Sequence, residues 1–377
     1  MMRIRKVAIW RLKLAFRYQF KHSLATHGGS ENLVVGVTTT EGVVGYGEGI
    51  PRVFVTGETM AESLEALTDR LAPRVLGTSL PSPPRLLPAL ETLLPAVDRE
   101  ASPAACCALE IALLDAAARL ENLPLGSLLG PRRRPAVIYS AVLPLASADR
   151  MSRYLAMVKE KALRFVKVKV GGDDDPAMLA AIRRELGEEV DLRVDANGAW
   201  TAAEAVARLR EMIPYRLSAV EQPVPGKDVD GMAAVSAAVP LPVIADESLV
   251  TEADARELIA AGACRIFNLR LSKHGGFLPT LRLSRLAQAA GLGCQLGCHV
   301  GESSLLAAAG RHFALAGPDL AYAEGSFAPY LLAQDVTDHP VVFDRGGAGP
   351  PLPGPGLGVA AQERLLHDLA SFRTVVT

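Results

Sequence analysis

The sequence lacks the features that mark membrane, nucleic-acid-binding and disulfide-stabilised proteins. No uncharged apolar run approaches the roughly 18 residues of a membrane span, and Arg11 and Lys13 interrupt the N-terminal apolar residues, so neither a span nor a signal peptide is expected. Lys and Arg number 40, Asp and Glu number 41, and aromatic residues are only 5%, which argues against a basic, base-stacking surface for nucleic acid. Five cysteines without a CxxC pair do not form a disulfide framework. We therefore expect a reduced, cytoplasmic protein.

The composition is that of a packed globular chain, with 49% hydrophobic and 21% charged residues among 377. Up to about residue 130 the pattern mixes two kinds of element. Alternating apolar residues predict strands, and apolar spacing of helical period predicts helices. Two polar stretches between these elements are expected to be exposed loops. The predicted strands are 7–16, 33–39 and 43–49, the helices 60–71 and 103–120, and the loops 21–30 and 51–59.

From about residue 135, short apolar strands alternate with helical segments. Because parallel strands need long crossover connections, this alternation predicts a parallel β/α barrel over residues 131–325. A doubly wound open sheet is the alternative, although no GxGxxG motif follows a strand. The Gly- and Pro-rich segment 326–377 is expected to pack back on the first 130 residues. The predicted barrel strands are 136–142, 165–170, 191–197, 217–223, 242–248, 265–271, 292–298 and 320–325.

Charged residues end, or closely follow, five successive barrel strands. They are Lys169, Asp195, Glu221, Asp246 and Lys273, at spacings of 26, 26, 25 and 27 residues. One β/α unit has about this length, so each residue occupies the same position on its unit. The carboxyl ends of barrel strands meet at one face. We therefore expect these five side chains to face one central pocket.

Three converging carboxylates cannot share a pocket without a cation, because like charges repel strongly at low dielectric. Oxygen ligands with no His or Cys among them suit Mg²⁺, with Mn²⁺ as a substitute. We therefore expect Asp195, Glu221 and Asp246 to bind Mg²⁺. A divalent cation stabilises the enediolate that forms when a proton is removed next to a carboxylate.

The flanking lysines suggest the proton-transfer groups. Burial, the nearby cation and a second ammonium group lower the pKa of a lysine toward the range of a useful base. Lys169 and Lys273 are therefore the expected acid/base pair, and Lys167 is expected to act mainly on the pKa of Lys169. Lysines on opposite faces permit racemisation, return of the proton to a different atom, or loss of a leaving group.

The ordered motifs resemble those of the enolase superfamily, in its muconate-lactonizing-enzyme subgroup, the mandelate racemase/muconate lactonizing enzyme family. The superfamily's Lys or His base with Mg²⁺ is a known pattern. The resemblance implies a modified TIM barrel, (β/α)₇β, with an N-terminal α+β capping domain completed by the C-terminal segment. It also implies specificity loops at 21–30 and 51–59, a small-molecule carboxylate substrate and a homo-oligomer. The motifs are Lys167-x-Lys169, Asp195-x-Asn197, Glu221-Gln222-Pro223, Asp246-Glu247-Ser248 and Lys273 followed by Gly275-Gly276.

The resemblance leaves the substrate open. Residues 57–59 are similar to the capping loop of dipeptide epimerases, but only Glu324 stands where those enzymes carry an Asp-x-Asp pair. Racemisation or epimerisation of an N-acyl amino acid or dipeptide is the first hypothesis. A muconate-type cycloisomerase or an o-succinylbenzoate-synthase-type β-elimination is the alternative, and a non-catalytic carboxylate-binding barrel is the other class. Expected substrate contacts are Glu302, His299, Glu324 and Asn197, while roles for His22 and His27 are left undecided.

Overall fold

The computed structural model describes residues 1–21, 26–82, 85–172 and 174–377. The strands are β1 (Met2–Lys21), β2 (Thr26–Thr39), β3 (Val44–Gly49), β4 (Ser79–Leu80), β5 (Val137–Ile138), β6 (Ala141–Leu143), β7 (Phe165–Lys169), β8 (Asp191–Asp195), β9 (Leu217–Glu221), β10 (Val243–Ala245), β11 (Ile266–Leu269), β12 (Gly293–Leu296), β13 (Tyr322–Ala323), β14 (Ala348–Gly349) and β15 (Ala370–Val376). None of the helices in these ranges is both long and apolar enough to cross a membrane.

The helices follow the same chain order. They are α1 (Val53–Thr56), α2 (Met60–Glu65), α3 (Ala72–Val75), α4 (Leu86–Leu93), α5 (Ala96–Ala101), α6 (Pro103–Leu120), α7 (Gly126–Leu129), α8 (Ala148–Glu160), α9 (Asp175–Leu186), α10 (Ala202–Met212), α11 (Val229–Ala238), α12 (Glu252–Ala260), α13 (Leu271–His274), α14 (Phe277–Ala289), α15 (Ser304–Ala316), α16 (Ala328–Leu331) and α17 (Glu363–Asp368). A π-helical segment, Ala66–Leu71, joins α2 to α3.

The two ends of the chain form one antiparallel sheet, which we call the cap sheet. Its strand order is β15-β1-β2-β3, with β4 paired to β1. The C-terminal strand β15 pairs with β1 from Val7 opposite Val376 to Leu12 opposite Ala370. The C-terminal segment therefore completes the N-terminal domain, as the sequence predicts.

Alternate glycines in β3 let helix α6 lie directly on the strand backbone. A Cβ added at Gly45, Gly47 or Gly49 would overlap backbone atoms of alanines on α6. These glycines are spaced by two, so they share one face of the strand. The alanines they meet, Ala104, Ala108, Ala112 and Ala116, are spaced by four and share one face of the helix. Small residues on both partners thus set this close approach.

The barrel consists of eight parallel strands in the order β6 to β13. The backbone N–H of Ser140, just before β6, donates to the carbonyl of Ala323 in β13 at 2.8 Å, which links the first strand region to the last. A helix follows each of the first seven strands. The (β/α)₇β barrel and its cap confirm the fold class predicted from the sequence.

The barrel interior consists of layers of side chains, apolar at the amino-terminal ends of the strands and polar toward their carboxyl ends. Phe165, Ala219, Ile244, Ile266 and Tyr322 lie at the amino-terminal end of the barrel interior, where they form an apolar plug. Nearer the carboxyl ends of the strands, charged and amide side chains point into the barrel. Because side chains alternate between the two faces of a strand, every second residue points inward. These inward polar residues are Lys167, Lys169, Arg193, Asp195, Glu221, Asn268, Gln295 and Glu324.

Three sequence predictions of local structure need correction. The expected loop 21–30 is strand from Thr26 onward, where β2 pairs with β1, and residues 22–25, including His22, lie outside the described ranges. The expected exposed loop 51–59 contains helix α1. Its residue Glu58 is buried, and the Glu58 carboxylate accepts the Ala104 N–H at 2.8 Å. The predicted strand 136–142 divides into β5, which pairs with β14, and the barrel strand β6.

Substituting Gly47 by Ala should destabilise the protein, because the added Cβ overlaps the Ala108 carbonyl oxygen. Overpacking of this kind costs about 1–3 kcal/mol or more. Chemical denaturation measures the change in the free energy of unfolding. The control is Gly28→Ala in β2, where the new Cβ meets nothing within 4 Å. Equal stability of the two variants would contradict the close approach of α6 to β3.

Candidate active site

A cavity of 270 Å³ lies over the carboxyl ends of the barrel strands. Most of the charged part of its wall lies at the ends of strands β7 to β11, and Arg52 from the cap, Glu302 after β12 and Glu324 after β13 add further charged groups. The other part is largely apolar and comes from the cap, from α8 and from the segment after β13. The charged and amide side chains in the wall are Arg52, Lys167, Lys169, Asn197, Glu247, Arg270, Glu302 and Glu324, and the apolar and aromatic ones include Tyr18, Phe54, Val55, Val142, Tyr154, Met157, Phe327, Tyr330 and Leu331.

Position in the ring determines which side chains oppose one another. Lys169 ends β7, the second barrel strand, and Arg270 directly follows β11, the sixth. Strands four apart in an eight-stranded ring lie across it from each other. Lys169 and Arg270 therefore face each other across the cavity, with the carboxylates of the third, fourth and fifth strands between them on one side.

The three predicted carboxylates are fully buried beneath the charged part of the wall. The Lys169 ammonium donates to Asp195 Oδ2 at 2.5 Å and to Asn197 Oδ1 at 2.8 Å. The Arg270 guanidinium pairs with Asp246. Burial would raise the pKa of Asp195, but Lys169 and then Lys167 hold it well below its ordinary value. Each of the three carboxylates thus contacts at least one cationic side chain.

Lys167 lies at the centre of a buried network. Its ammonium is 2.8 Å from Glu324 Oε1, 3.0 Å from Glu221 Oε1 and 3.1 Å from Asp195 Oδ2. Burial favours the neutral amine, but the three carboxylates outweigh it and raise the pKa of Lys167 above its ordinary value. Arg193 also donates to Glu324 Oε1, at 2.7 Å. Lys167 is therefore held as an ammonium ion.

The Gln222 side chain holds the loop that carries Asp246 and Glu247. Its Oε1 accepts the backbone N–H groups of Asp246 at 2.9 Å and Ser248 at 3.1 Å, and the Ser248 hydroxyl at 2.9 Å. Gln222 and Asn197 both have positive φ, 39° and 46°. Backbone strain of this kind concentrates at functional sites. The two motifs at 221–223 and 246–248 are thus parts of one structural unit.

The structure does not bring Lys273 to the cavity, which corrects the expected arrangement of facing amines. Lys273 lies in α13, beyond the strand end, and is not among the described residues of the wall. Its ammonium donates to the Asp246 carbonyl at 2.7 Å, to Asp246 Oδ1 at 2.8 Å and to the Asn268 carbonyl at 3.1 Å. Arg270, which the sequence analysis did not name, takes the wall position. The signal was present, since Arg270 directly follows its strand as Asp246 directly follows β10.

The carboxylates do not form a ready-made metal cluster. Within the described ranges, no three His, Cys, Asp or Glu side chains come together as a group that could hold an ion. The ammonium and guanidinium groups instead neutralise Asp195, Glu221 and Asp246 individually. Glu247, adjacent to Asp246, accepts from Asn197 at 3.0 Å through Oε1, and its buried Oε2 has no hydrogen-bond partner among the described residues.

The remaining expected contacts lie in the wall but differ in their partners. Glu324 is committed to Lys167 and Arg193. Glu302 accepts the His299 backbone N–H at 2.7 Å, and burial raises its pKa to about 8. His299 lines the cavity. The side chain of His27, like that of His22, is not described.

Comparison with known proteins identifies the family to which the chain belongs. Residues 5–130 match the family described as mandelate racemase/muconate lactonizing enzyme, N-terminal domain, and residues 150–365 match the one described as enolase C-terminal domain-like. The chain belongs to the enolase superfamily, in its muconate-lactonizing-enzyme subgroup. It is an enzyme of that superfamily, whose similar members are racemases, epimerases and cycloisomerases.

Three relatives of this enolase-superfamily enzyme illustrate the range. It is 29% identical to the N-succinyl-L-Arg/Lys racemase of Bacillus cereus over 100% of both chains. It is 32% identical to muconate cycloisomerase 1 of Rhodococcus opacus over 87% of both. A dipeptide epimerase from Cytophaga hutchinsonii, solved with Mg and the dipeptide D-Ala-L-Val, superposes with a TM-score of 0.89 at 28% identity over 100% of both chains.

Glu302→Gln should change the pH dependence of stability. The pKa of Glu302 is about 8 in the folded protein against 4.5 ordinarily, because burial, and then Glu48 and Glu324, outweigh the His299 N–H and Arg270. The folded state then binds more protons than the unfolded state, so the wild type loses stability as pH rises from about 4.5 to about 8. The variant should gain relative stability across that window, on the order of a few kcal/mol, measured by denaturation at each pH.

Glu62→Gln serves as the control with the opposite sign. Glu62 is exposed, and the Thr59 N–H in its capping box lowers its pKa. Its carboxylate therefore stabilises the fold above its ordinary pKa, and that contribution is lost as the pH falls. A Glu302→Gln difference that does not change with pH would show that Glu302 ionises normally.

Proposed function

We propose that this enzyme removes the proton α to a carboxylate with the help of Mg²⁺ and that Lys169 is its proton-transfer group. The substrate is an amino-acid derivative, an N-acyl amino acid or a dipeptide, and the reaction is racemisation or epimerisation. The observation that carries the proposal is the position of Lys169, whose amine lines the cavity beside Asp195 and Asn197. The names of the relatives support the same class of substrate.

The donor chemistry fits a magnesium ion. Asp195, Glu221 and Asp246 end adjacent strands or directly follow them, and all three are fully buried. Carboxylate oxygens are the ligands that Mg²⁺ prefers, and the unpartnered Oε2 of Glu247 lies in the same loop. These residues would hold the ion, whose charge would replace the neutralisation that Lys169 and Arg270 give Asp195 and Asp246. A bound Mg²⁺ supplies charge stabilisation for an enediolate.

The chain's own residues divide the remaining tasks. Lys169 first gives one ammonium proton to solvent and then takes the α-proton on its neutral Nζ, and Asn197 positions that amine through its side-chain oxygen. Lys167 stays an ammonium ion and offsets the charge of Glu221 and Glu324. The cap residues Tyr18 and Phe54 add aromatic surface to the cavity wall.

Lys169→Met should abolish exchange of the substrate α-proton with deuterated water, and the protein should stay folded because Lys167, 3.1 Å from Asp195 Oδ2, still neutralises that carboxylate. A positioned acid/base group contributes about 10²–10⁴-fold, so the exchange rate followed by NMR should fall by at least about 10²-fold. The control is Lys159→Met, a surface lysine paired with Glu185. EDTA should stop exchange in the wild type, and Mg²⁺ should restore it and raise the melting temperature. Unchanged exchange in Lys169→Met would overturn the proposal.

Arg270 favours a second candidate, cycloisomerisation of a dicarboxylic acid. A guanidinium keeps its protons at any pH at which the protein is folded, so it does not replace an amine as a base. With Arg270 opposite Lys169, proton transfer takes place on only one face of the substrate. This is enough for a cycloisomerisation, but an inversion that uses two bases needs proton transfer on both faces. A guanidinium also suits a second carboxylate, and a muconate cycloisomerase is among the relatives.

Exchange and inversion can be separated in deuterated water. If Lys169 acts alone, the wild type should exchange the α-proton of an N-acyl amino acid faster than it inverts the centre. Arg270→Lys should raise the ratio of inversion to exchange about tenfold or more, because it places an amine opposite Lys169. NMR and chiral chromatography measure the two rates, and Arg153→Lys, at an exposed ion pair, is the control. Equal rates of inversion and exchange in the wild type would instead favour racemisation.

A further inference from the structure

His299 is a buried polar side chain without a hydrogen-bond partner. It follows β12, lines the cavity and is only 4% exposed. Neither Nδ1 nor Nε2 is hydrogen-bonded to any described residue. The Glu302 carboxylate comes no closer to Nδ1 than 3.9 Å, which is too far for a hydrogen bond. Buried polar groups in proteins are normally bonded, so the ring is suited to a partner that enters the cavity.

Another buried histidine shows the usual arrangement. His312 has the Gly126 N–H on Nδ1 at 3.2 Å and the Leu357 carbonyl at Nε2 at 3.1 Å. Both nitrogens of His312 are thus bonded, and buried His274, outside the cavity wall, has its Nδ1 at 3.0 Å from the Val250 carbonyl, while its Nε2 has no hydrogen-bond partner among the described residues. His299, in a wall position, is left without either contact.

The cap holds the segment that carries His299. Arg52, which precedes α1, donates to the Val300 carbonyl at 2.9 Å and to the Ser30 hydroxyl at 3.1 Å. Glu302 accepts the His299 backbone N–H from the other side. Burial, with Arg270 and Arg52 nearby, holds the pKa of His299 well below its ordinary value. The ring is therefore neutral and offers one donor and one acceptor.

The surroundings of His299 do not suit a cationic group. Phe54, Phe327 and Tyr330 contribute apolar and aromatic surface to the same cavity. Glu324 already contacts Lys167 and Arg193. Away from Lys169, the wall presents apolar surface, the neutral imidazole of His299, the Arg52 guanidinium and the Glu302 carboxyl, whose pKa burial raises to about 8.

We propose that His299 binds the amide of the substrate, and that the substrate is an N-acyl α-amino carboxylate with an uncharged acyl group. This inference rests on the function proposed above and narrows its substrate class. A free dipeptide would place an ammonium ion beside apolar surface, a neutral imidazole and the guanidinium groups of Arg52 and Arg270, which would repel it.

Binding of N-acetyl-leucine in the presence of Mg²⁺ tests the proposal independently of turnover. Calorimetry on the wild type and on Lys169→Met, each with and without His299→Phe, should show at least tenfold weaker binding without the imidazole. His299→Gln, which keeps a donor and an acceptor, should restore part of the affinity. The melting temperature of His299→Phe should not fall, because no protein hydrogen bond is lost.

The matched control is His312→Phe, which should lower the melting temperature and leave binding unchanged. Wild-type affinity in His299→Phe, or a fall in its melting temperature equal to that of His312→Phe, would overturn the role of His299. Equal affinity for Ala-Leu and N-acetyl-leucine would overturn the uncharged acyl group. If N-acetyl-leucine binds in a His299-dependent manner but its α-proton does not exchange, the binding inference holds and the proposed reaction fails.

Discussion

The carboxyl end of the barrel depends on a balance of buried charge. Asp195, Glu221 and Asp246 are fully buried, and each contacts at least one ammonium or guanidinium group. Removing one partner from a buried ion pair costs about 3–5 kcal/mol, because the other charge is left uncompensated. The same groups that would hold a metal and move a proton are thus also needed for the barrel interior to be stable. The requirement for these groups accounts for the ionic layers at the carboxyl ends of the strands, whereas the amino-terminal end of the barrel interior is apolar.

Most of the fold could be predicted from the sequence, because its signals are local. Alternation in the stretch Phe165–Lys169 places Lys167 and Lys169 on one face, and the lengths of the β/α units bring strand ends into phase. The common spacing predicted that Lys169 and the carboxylates lie close together. It could not show whether Arg270 or Lys273 takes the corresponding position after the sixth strand. The end of the sixth strand could be predicted only to within about three residues, which covers both Arg270 and Lys273. The expectation of an amine favoured Lys273, which is not in the described cavity wall. Only the end of β11 at Leu269 decides between them.

Contacts across the barrel lie beyond what the sequence analysis could reach. Arg193 pairs with Glu324, 131 positions away, and Gln295 donates to Glu221 from the seventh strand to the fourth. No periodicity specifies such partners, since they depend on how the ring closes. The glycines at 45, 47 and 49 are different, because their spacing was visible in the sequence and the alanine face of α6 that they contact was not identified as their partner.

In the proposed function, the residues for proton transfer and those for substrate recognition come from different parts of the fold. The second to sixth strands supply Lys169, the carboxylates and Arg270, whereas the cap and the segments after the seventh and eighth strands supply His299 and the apolar surface. The apolar side chains of the second group can change without disturbing the buried charge balance, because they form no ion pairs with it. Glu324, which follows the eighth strand, cannot, because it pairs with Lys167 and Arg193. Relatives named as racemases, epimerases and cycloisomerases are consistent with such a division. Arg270 is the exception in this chain, since it belongs to the charged group and yet differs in kind from the amine opposite it.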